Sequence, residues 1–175
     1  VSLQREKGII TAVVEKGDSF RQKERLLADN KTLIVFSDDL DKAIASFVIA
    51  NGAVSTGRKV TMFFTFWGLN VIKKEHPGRT EKDWVGKLFG WMLPSNSKKL
   101  SLSKMNMGGM GSWMMRRIMK SKKIDSLESL IQQARQSGVE FIACQMSMEV
   151  MGIGPEELLE GVNVGGVAAY LERAE

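Results

Sequence analysis

One cysteine in 175 residues stands where a thiol could do chemistry. Cys144 closes the apolar run Val139-Glu140-Phe141-Ile142-Ala143 and is followed at once by Gln145-Met146-Ser147-Met148-Glu149-Val150-Met151-Gly152. The first stretch predicts a buried strand, the second a helix that begins at or just after the sulfur. Unpaired N–H groups in the first turn of a helix create a local positive field, which favours thiolate over thiol. The carboxyl edge of an open α/β sheet is also where ligands bind. Free cysteines are equally among the most buried residue types, and many are inert fillers. Position alone leaves both roles open.

Few other side chains offer to help that thiol. His76 is the sole histidine and sits in a His76-Pro77-Gly78 loop, so a Cys–His dyad is not supported. One cysteine and one histidine cannot make a tetrahedral metal set, and neither a metal nor a cofactor is expected. A thiol peroxidase pairs its cysteine with an activating arginine and threonine. Ala143-Cys144-Gln145 offers neither locally, so that reading is set aside.

Methionine is abundant, with eleven in the chain. Met105, Met107, Met110, Met114, Met115 and Met119 cluster in one segment, and Met146, Met148 and Met151 follow the cysteine. Their flexibility predicts core filling first, and an adaptable apolar pocket over Cys144 second. Gly108-Gly109 and Gly111 lack the spacing of a phosphate loop and follow no clear strand.

The elements that must position Cys144 are legible from pattern. Thr32-Leu33-Ile34-Val35-Phe36-Ser37 is a continuous apolar run, as in a strand covered on both faces. Asp38 or Asp39 can cap a helix from Leu40 to Ala53, which Gly57 closes, and residues 59–66 form the next strand. This spacing predicts a right-handed parallel unit. Residues 73–111 break the rhythm with proline and glycine turns and carry Trp84 and Trp91, predicting a partly helical excursion over one sheet edge. Helices are predicted over 113–120, over 126–136 with Asp125 or Ser126 capping, and from Gly154-Pro155 to Leu159. Residues 161–166 read as a short edge strand and 167–175 as a terminal helix. Ahead of all this, residues 1–30 read as a hairpin and linker.

Composition sets loose bounds. A hydrophobic content of 43% and a charged content of 26% are those of a folded globular protein. The net charge of +5 comes from scattered basic pairs without interleaved aromatics, which suits a solvated face or an acidic partner better than nucleic acid. Arg58-Lys59 interrupt the apolar stretch that runs up to Ile72, so no membrane span is predicted. A single cysteine rules out an internal disulfide and suits a reducing compartment, and no signal peptide is read at the start, so the cytoplasm is expected.

Several segments together resemble one family. They are Leu33-Ile34-Val35-Phe36-Ser37 with Asp41-Lys42-Ala43, the run Phe63-Phe64-Thr65-Phe66-Trp67-Gly68, and Asn106-Met107-Gly108-Gly109-Met110-Gly111. Most specific is Ile142-Ala143-Cys144-Gln145-Met146-Ser147-Met148, with Gly161-Val162 and Gly165-Gly166-Val167-Ala168 near the end. Residues 31–175 resemble the DsrE/DsrF-like sulfur-relay proteins. Residues 3–17 resemble the last strands of a TusA/SirA-like carrier domain, whose thiol motif this chain lacks.

The resemblance implies a three-layer, flavodoxin-like α/β fold with a mostly parallel sheet. It implies a persulfide carrier or sulfurtransferase working through Cys144, with rhodanese-like or TusA-like proteins as donors and acceptors. Ser37, Asp38, Trp67, Met107, Gly108, Gly109, Met146 and Met148 are the pocket candidates. Homo-oligomers are expected, with the apolar excursion at 73–120 as interface. The alternative is a non-catalytic module that binds a small ligand or a protein through its Met/Trp segment. A carrier must meet its partner, so the sulfur is expected to be partly exposed, with a lowered pKa.

Overall fold

The computed structural model describes residues 30–75 and 96–174. The hairpin and linker expected over 1–30, His76, Trp84 and Trp91 lie outside them, apart from Asn30. Four strands form one sheet: β1 (Lys31–Val35), β2 (Val60–Phe64), β3 (Glu140–Cys144) and β4 (Asn163–Gly165). Their order is β1-β2-β3-β4 and every pairing is parallel. Register aligns their carboxyl ends, with Val35 opposite Phe64, Phe64 opposite Ala143 and Cys144 opposite Gly165.

Strand periodicity of two divides the buried side chains between two faces. Val35, Met62, Phe64, Phe141 and Ala143 belong to the main core with α1 (Leu40–Ser55) and α3 (Leu127–Gln136). Phe63, Ile142 and Cys144 point the other way, where, among the described residues, only Tyr170 of α5 (Val167–Ala174) joins their buried cluster. The result is a three-layer α/β arrangement. Sequential strand order with right-handed crossovers places the connecting helices on one side, and α5 turns back over the other.

The main core is built on three rings. Phe47 of α1 packs at 6.2 Å on Phe64 and at 5.7 Å edge-on to Phe141, while Phe64 and Phe141 meet at 5.4 Å. Edge-to-face contacts of this kind add about 0.5–1.5 kcal/mol beyond area burial. Asn51 ties α1 to α3 by donating to the Leu130 carbonyl at 3.1 Å.

Element ends depart from the sequence reading in instructive ways. The first strand stops at Val35 and the second at Phe64, because the Thr65 N–H closes the ladder on the Val35 carbonyl and the chain then winds into a 3-10 turn (Phe66–Ile72). That turn presses against the end of β1, where a Cβ on Gly68 would collide with the Val35 carbonyl oxygen. Asp39 occupies the N-cap position of α1, yet its carboxylate accepts no helix N–H. It takes the Ser37 hydroxyl at 2.8 Å and the Lys42 ammonium at 2.6 Å instead. Ser126 does cap α3, accepting from the Ser129 N–H at 3.2 Å.

The helix predicted from Gly154 to Leu159 is a single 3-10 turn (Pro155–Glu157). Buried Leu158 leaves it to form an antiparallel bridge with Lys73. Helix α2 (Met110–Ser121) starts earlier than the predicted 113, entered through Gly109 at φ +98°. Among the described residues, no helix is long and apolar enough to cross a membrane.

Candidate functional site

Cys144 is the last residue of β3 and the N-cap residue of the short helix α4 (Gln145–Met151). Its backbone is extended (φ −68°, ψ 113°), so the strand delivers the sulfur to the carboxyl edge and the helix begins immediately beyond it. Two loops converge there. Thr65 follows β2 and Ser147 lies in the first turn of α4, and their hydroxyls are hydrogen-bonded at 2.8 Å. Both face the cysteine.

The surroundings of the sulfur favour its anion. Burial pushes the thiol pKa up, and the polar groups around the sulfur, the hydrogen-bonded Ser147 and Thr65 hydroxyls and the Ser147 and Met146 N–H groups, together outweigh it. The net shift is below the ordinary value of 9.0. Hydrogen bonding to the charged form is the dominant favourable cause, since a thiolate accepts these protons far more strongly than a thiol does. Because the folded pKa is depressed, the thiolate's contribution to stability is fully present above 9.0 and is lost as pH falls through the lower folded value. We predict that Ser147→Ala and Thr65→Val will each raise the midpoint of thiolate ultraviolet absorbance toward that of an unfolded cysteine. An unmoved midpoint would show that the hydroxyls do not hold the anion.

Burial corrects one expectation. Cys144 is only 2% exposed, not partly open. Its cover is the cluster of Phe63, Ile142 and Tyr170 rather than the neighbouring methionines. Met148 turns into the main core on the opposite face, and Met146 is exposed, contributing its N–H rather than its thioether. The Phe63 and Tyr170 rings meet at a tilt of 34° with centroids 5.0 Å apart.

The remaining pocket candidates divide by position. Trp67 is exposed two residues after Thr65, next to Phe66, which is held at φ +46°. Ser37 and Asp38 follow β1 at the same edge and are engaged locally. The Ser37 hydroxyl bonds Asp39, and the Asp38 carboxylate accepts from fully buried Asn70 at 3.0 Å. Met107, Gly108 and Gly109 form the turn that leads into α2, and Met107 is exposed. Nearby, Met105, Met114, Met115 and Ile118 line an apolar cavity of 380 Å³ against Asp41 and Ser103. No hydrogen bond or shared buried cluster among the described residues joins the Met107–Gly109 turn to Cys144. Nor do any three His, Cys, Asp or Glu side chains among them converge as metal ligands.

Sequence reasoning missed Thr65, Ser147 and Tyr170 as parts of the site. Ser147 was within reach, three residues after an N-cap residue, the spacing at which a first-turn group faces the cap. Thr65 is 82 residues from Ser147 in the chain, and only the sheet register brings them together.

Residues 28–175 match the DsrE/DsrF/DrsH-like family. An uncharacterized protein, YrkE of Bacillus subtilis (strain 168), is 44% identical over 144 residues, 82% of this chain and 90% of the relative. The sulfur carrier protein DsrE2 of Allochromatium vinosum is 34% identical over 146 residues, 81% of this chain and 90% of the relative.

Proposed function

This chain belongs to the DsrE/DsrF/DrsH-like family, and from that premise we propose that it is a sulfur carrier whose Cys144 holds and relays a persulfide. The observation that carries the reading is the seat of Cys144 at the carboxyl end of β3, against the paired Thr65 and Ser147 hydroxyls and the first N–H groups of α4, which lower its pKa despite burial. A similar protein named as a sulfur carrier supports the substrate class.

In loading, the Cys144 thiolate attacks the outer sulfur of a donor persulfide. One S–S bond forms and the donor's S–S bond breaks, leaving Cys144 as Cys–S–SH and the donor as a thiolate. Unloading is the reverse exchange, with an acceptor thiolate attacking the outer sulfur and Cys144 departing as thiolate. Neither step changes the overall oxidation level. The hydroxyls and N–H groups act in both directions, since a lower pKa raises the thiolate fraction during attack and makes the same sulfur a better leaving group during release.

Access is the remaining requirement, and Tyr170 blocks it. Apart from Tyr170, which is 8% exposed, and the half-buried Ala169 and Arg173, α5 offers exposed side chains. It is further held by the Arg173–Glu140 ion pair at 2.7 Å, on a partly exposed surface. Among the described residues, one buried ring and one surface pair make a weak attachment. In this mechanism α5 lifts, pivoting at Gly165-Gly166, when a partner docks. Rhodanese-like or TusA-like proteins fit as donors and acceptors, in the cytoplasm, and copies of the chain associate with one another. Light scattering that shows a monomer at tens of micromolar would remove this last part.

The test is chemical. Incubated with polysulfide, or with thiosulfate and a rhodanese, the protein should gain the mass of one sulfur atom, reversed by dithiothreitol and absent in Cys144→Ser. A gain retained by Cys144→Ser, or none in the native chain, would overturn the reading.

A further inference from the structure

The sulfur mechanism leaves unexplained the surface of α2. Between residues 97 and 124 the chain carries eight lysines and arginines and no aspartate or glutamate. In the same span methionine, tryptophan and isoleucine are left in water. Helix α2 buries only Gly111 and Met119. Met110, Trp113, Met114, Arg117 and Ile118 recur at the spacing that puts residues on one helical face, and Met110, Trp113 and Ile118 are 58%, 61% and 46% exposed. Arg117 folds over the Trp113 ring at 5.6 Å. Exposed Met105 and Met107 extend the apolar stripe beyond the start of the helix. Among the described residues, Arg117, Lys122 and Lys123 take part in no ion pair.

From this arrangement we propose that α2 is an interfacial helix that lays its Met/Trp/Ile stripe into the surface of an anionic lipid bilayer. The charge pattern argues for this occupant. A second copy of the chain would set one cationic face against another, at a cost in repulsion. An acidic protein would answer the lysines, but it gives no reason for a row of exposed methionines flanking a tryptophan. An anionic membrane answers both features. Headgroups pair with the basic residues, tryptophan suits the water–hydrocarbon boundary, and unbranched methionine adapts to mobile acyl chains. Twelve residues give a helix about 18 Å long, too short to span and suited to lying flat. Membrane binding of this kind does not depend on the sulfur chemistry.

Co-sedimentation with vesicles tests it on the full chain. Vesicles of phosphatidylglycerol and phosphatidylcholine, mixed at roughly 3:7 to give a negative surface potential, should carry the protein down. Pure phosphatidylcholine should not, and added salt should weaken the binding. Reversing three exposed cations together, Arg117→Glu, Lys122→Glu and Lys123→Glu, should weaken it by roughly a hundredfold or more, at about fivefold per charge removed. Trp113→Ser with Ile118→Ser should weaken it by about tenfold or more with every charge retained. Far-ultraviolet circular dichroism should stay native in both, since all five side chains are exposed. Three results would each overturn the proposal: no binding to the anionic vesicles; unchanged binding by the Trp113/Ile118 variant, which would make the patch a polyanion or acidic-protein site; or self-association that the same variant abolishes, which would assign the face to a second copy.

Discussion

Tyr170→Ala is expected to make Cys144 react with iodoacetamide about 10- to 100-fold faster than in the native chain. The magnitude follows from how α5 is held. In the native fold the sulfur is 2% exposed, so alkylation must wait for an opening that lifts α5 from Phe63, Ile142 and Cys144. Burying a large apolar side chain is worth about 1.5–3 kcal/mol, and every 1.4 kcal/mol removed from the closed state raises the open population about tenfold. Tyr170 is the single side chain that α5 buries, so nearly all of that loss falls on the opening equilibrium.

Cys144 is the only cysteine, and the rate therefore reports that site alone. Arg173→Ala should give a smaller acceleration, of a few-fold, because a partly exposed ion pair contributes about 0.2–1 kcal/mol. Urea midpoints measured alongside distinguish local from global opening. An alkylation rate that Tyr170→Ala leaves unchanged would show that partners reach the sulfur by another route.

Phe47→Ala should lower the unfolding free energy by about 3–5 kcal/mol, much of the stability of an ordinary domain. Phe47 is completely buried and touches the rings of both Phe64 and Phe141, so its removal opens a void where α1 meets β2 and β3. Rings from two neighbouring strands bound that void, and a closed parallel ladder cannot move them inward without breaking its register. The site should suffer with the core, since Thr65 and Cys144 are the residues that follow Phe64 and Ala143 in those strands. Urea denaturation measures the loss, and a change below about 1 kcal/mol would mean that the core repacks around the missing ring.

The positions of the strands, the main helices and the strand–cysteine–helix junction were legible in the sequence because each rests on local pattern. An apolar run bounded by turns marks β2, and a 3.6-residue repeat behind a capping serine marks α3. A cysteine between a strand pattern and a helix pattern can hardly fall elsewhere than at an element boundary. The family segments could be read for the same reason, being contiguous stretches around that boundary.

Tertiary structure alone determined what the sulfur meets. Sheet register, a property of chain segments about eighty residues apart, sets Thr65 beside Ser147 and joins their hydroxyls into one hydrogen-bonded pair at the sulfur. Strand alternation sends Cys144 to the face opposite the main core, and the chain's return over that face brings Tyr170 onto it. Local sequence could say that burial raises a thiol's pKa and that a helix start lowers it. It could not weigh them, because the balance depends on how many donors the folded chain gathers around one atom.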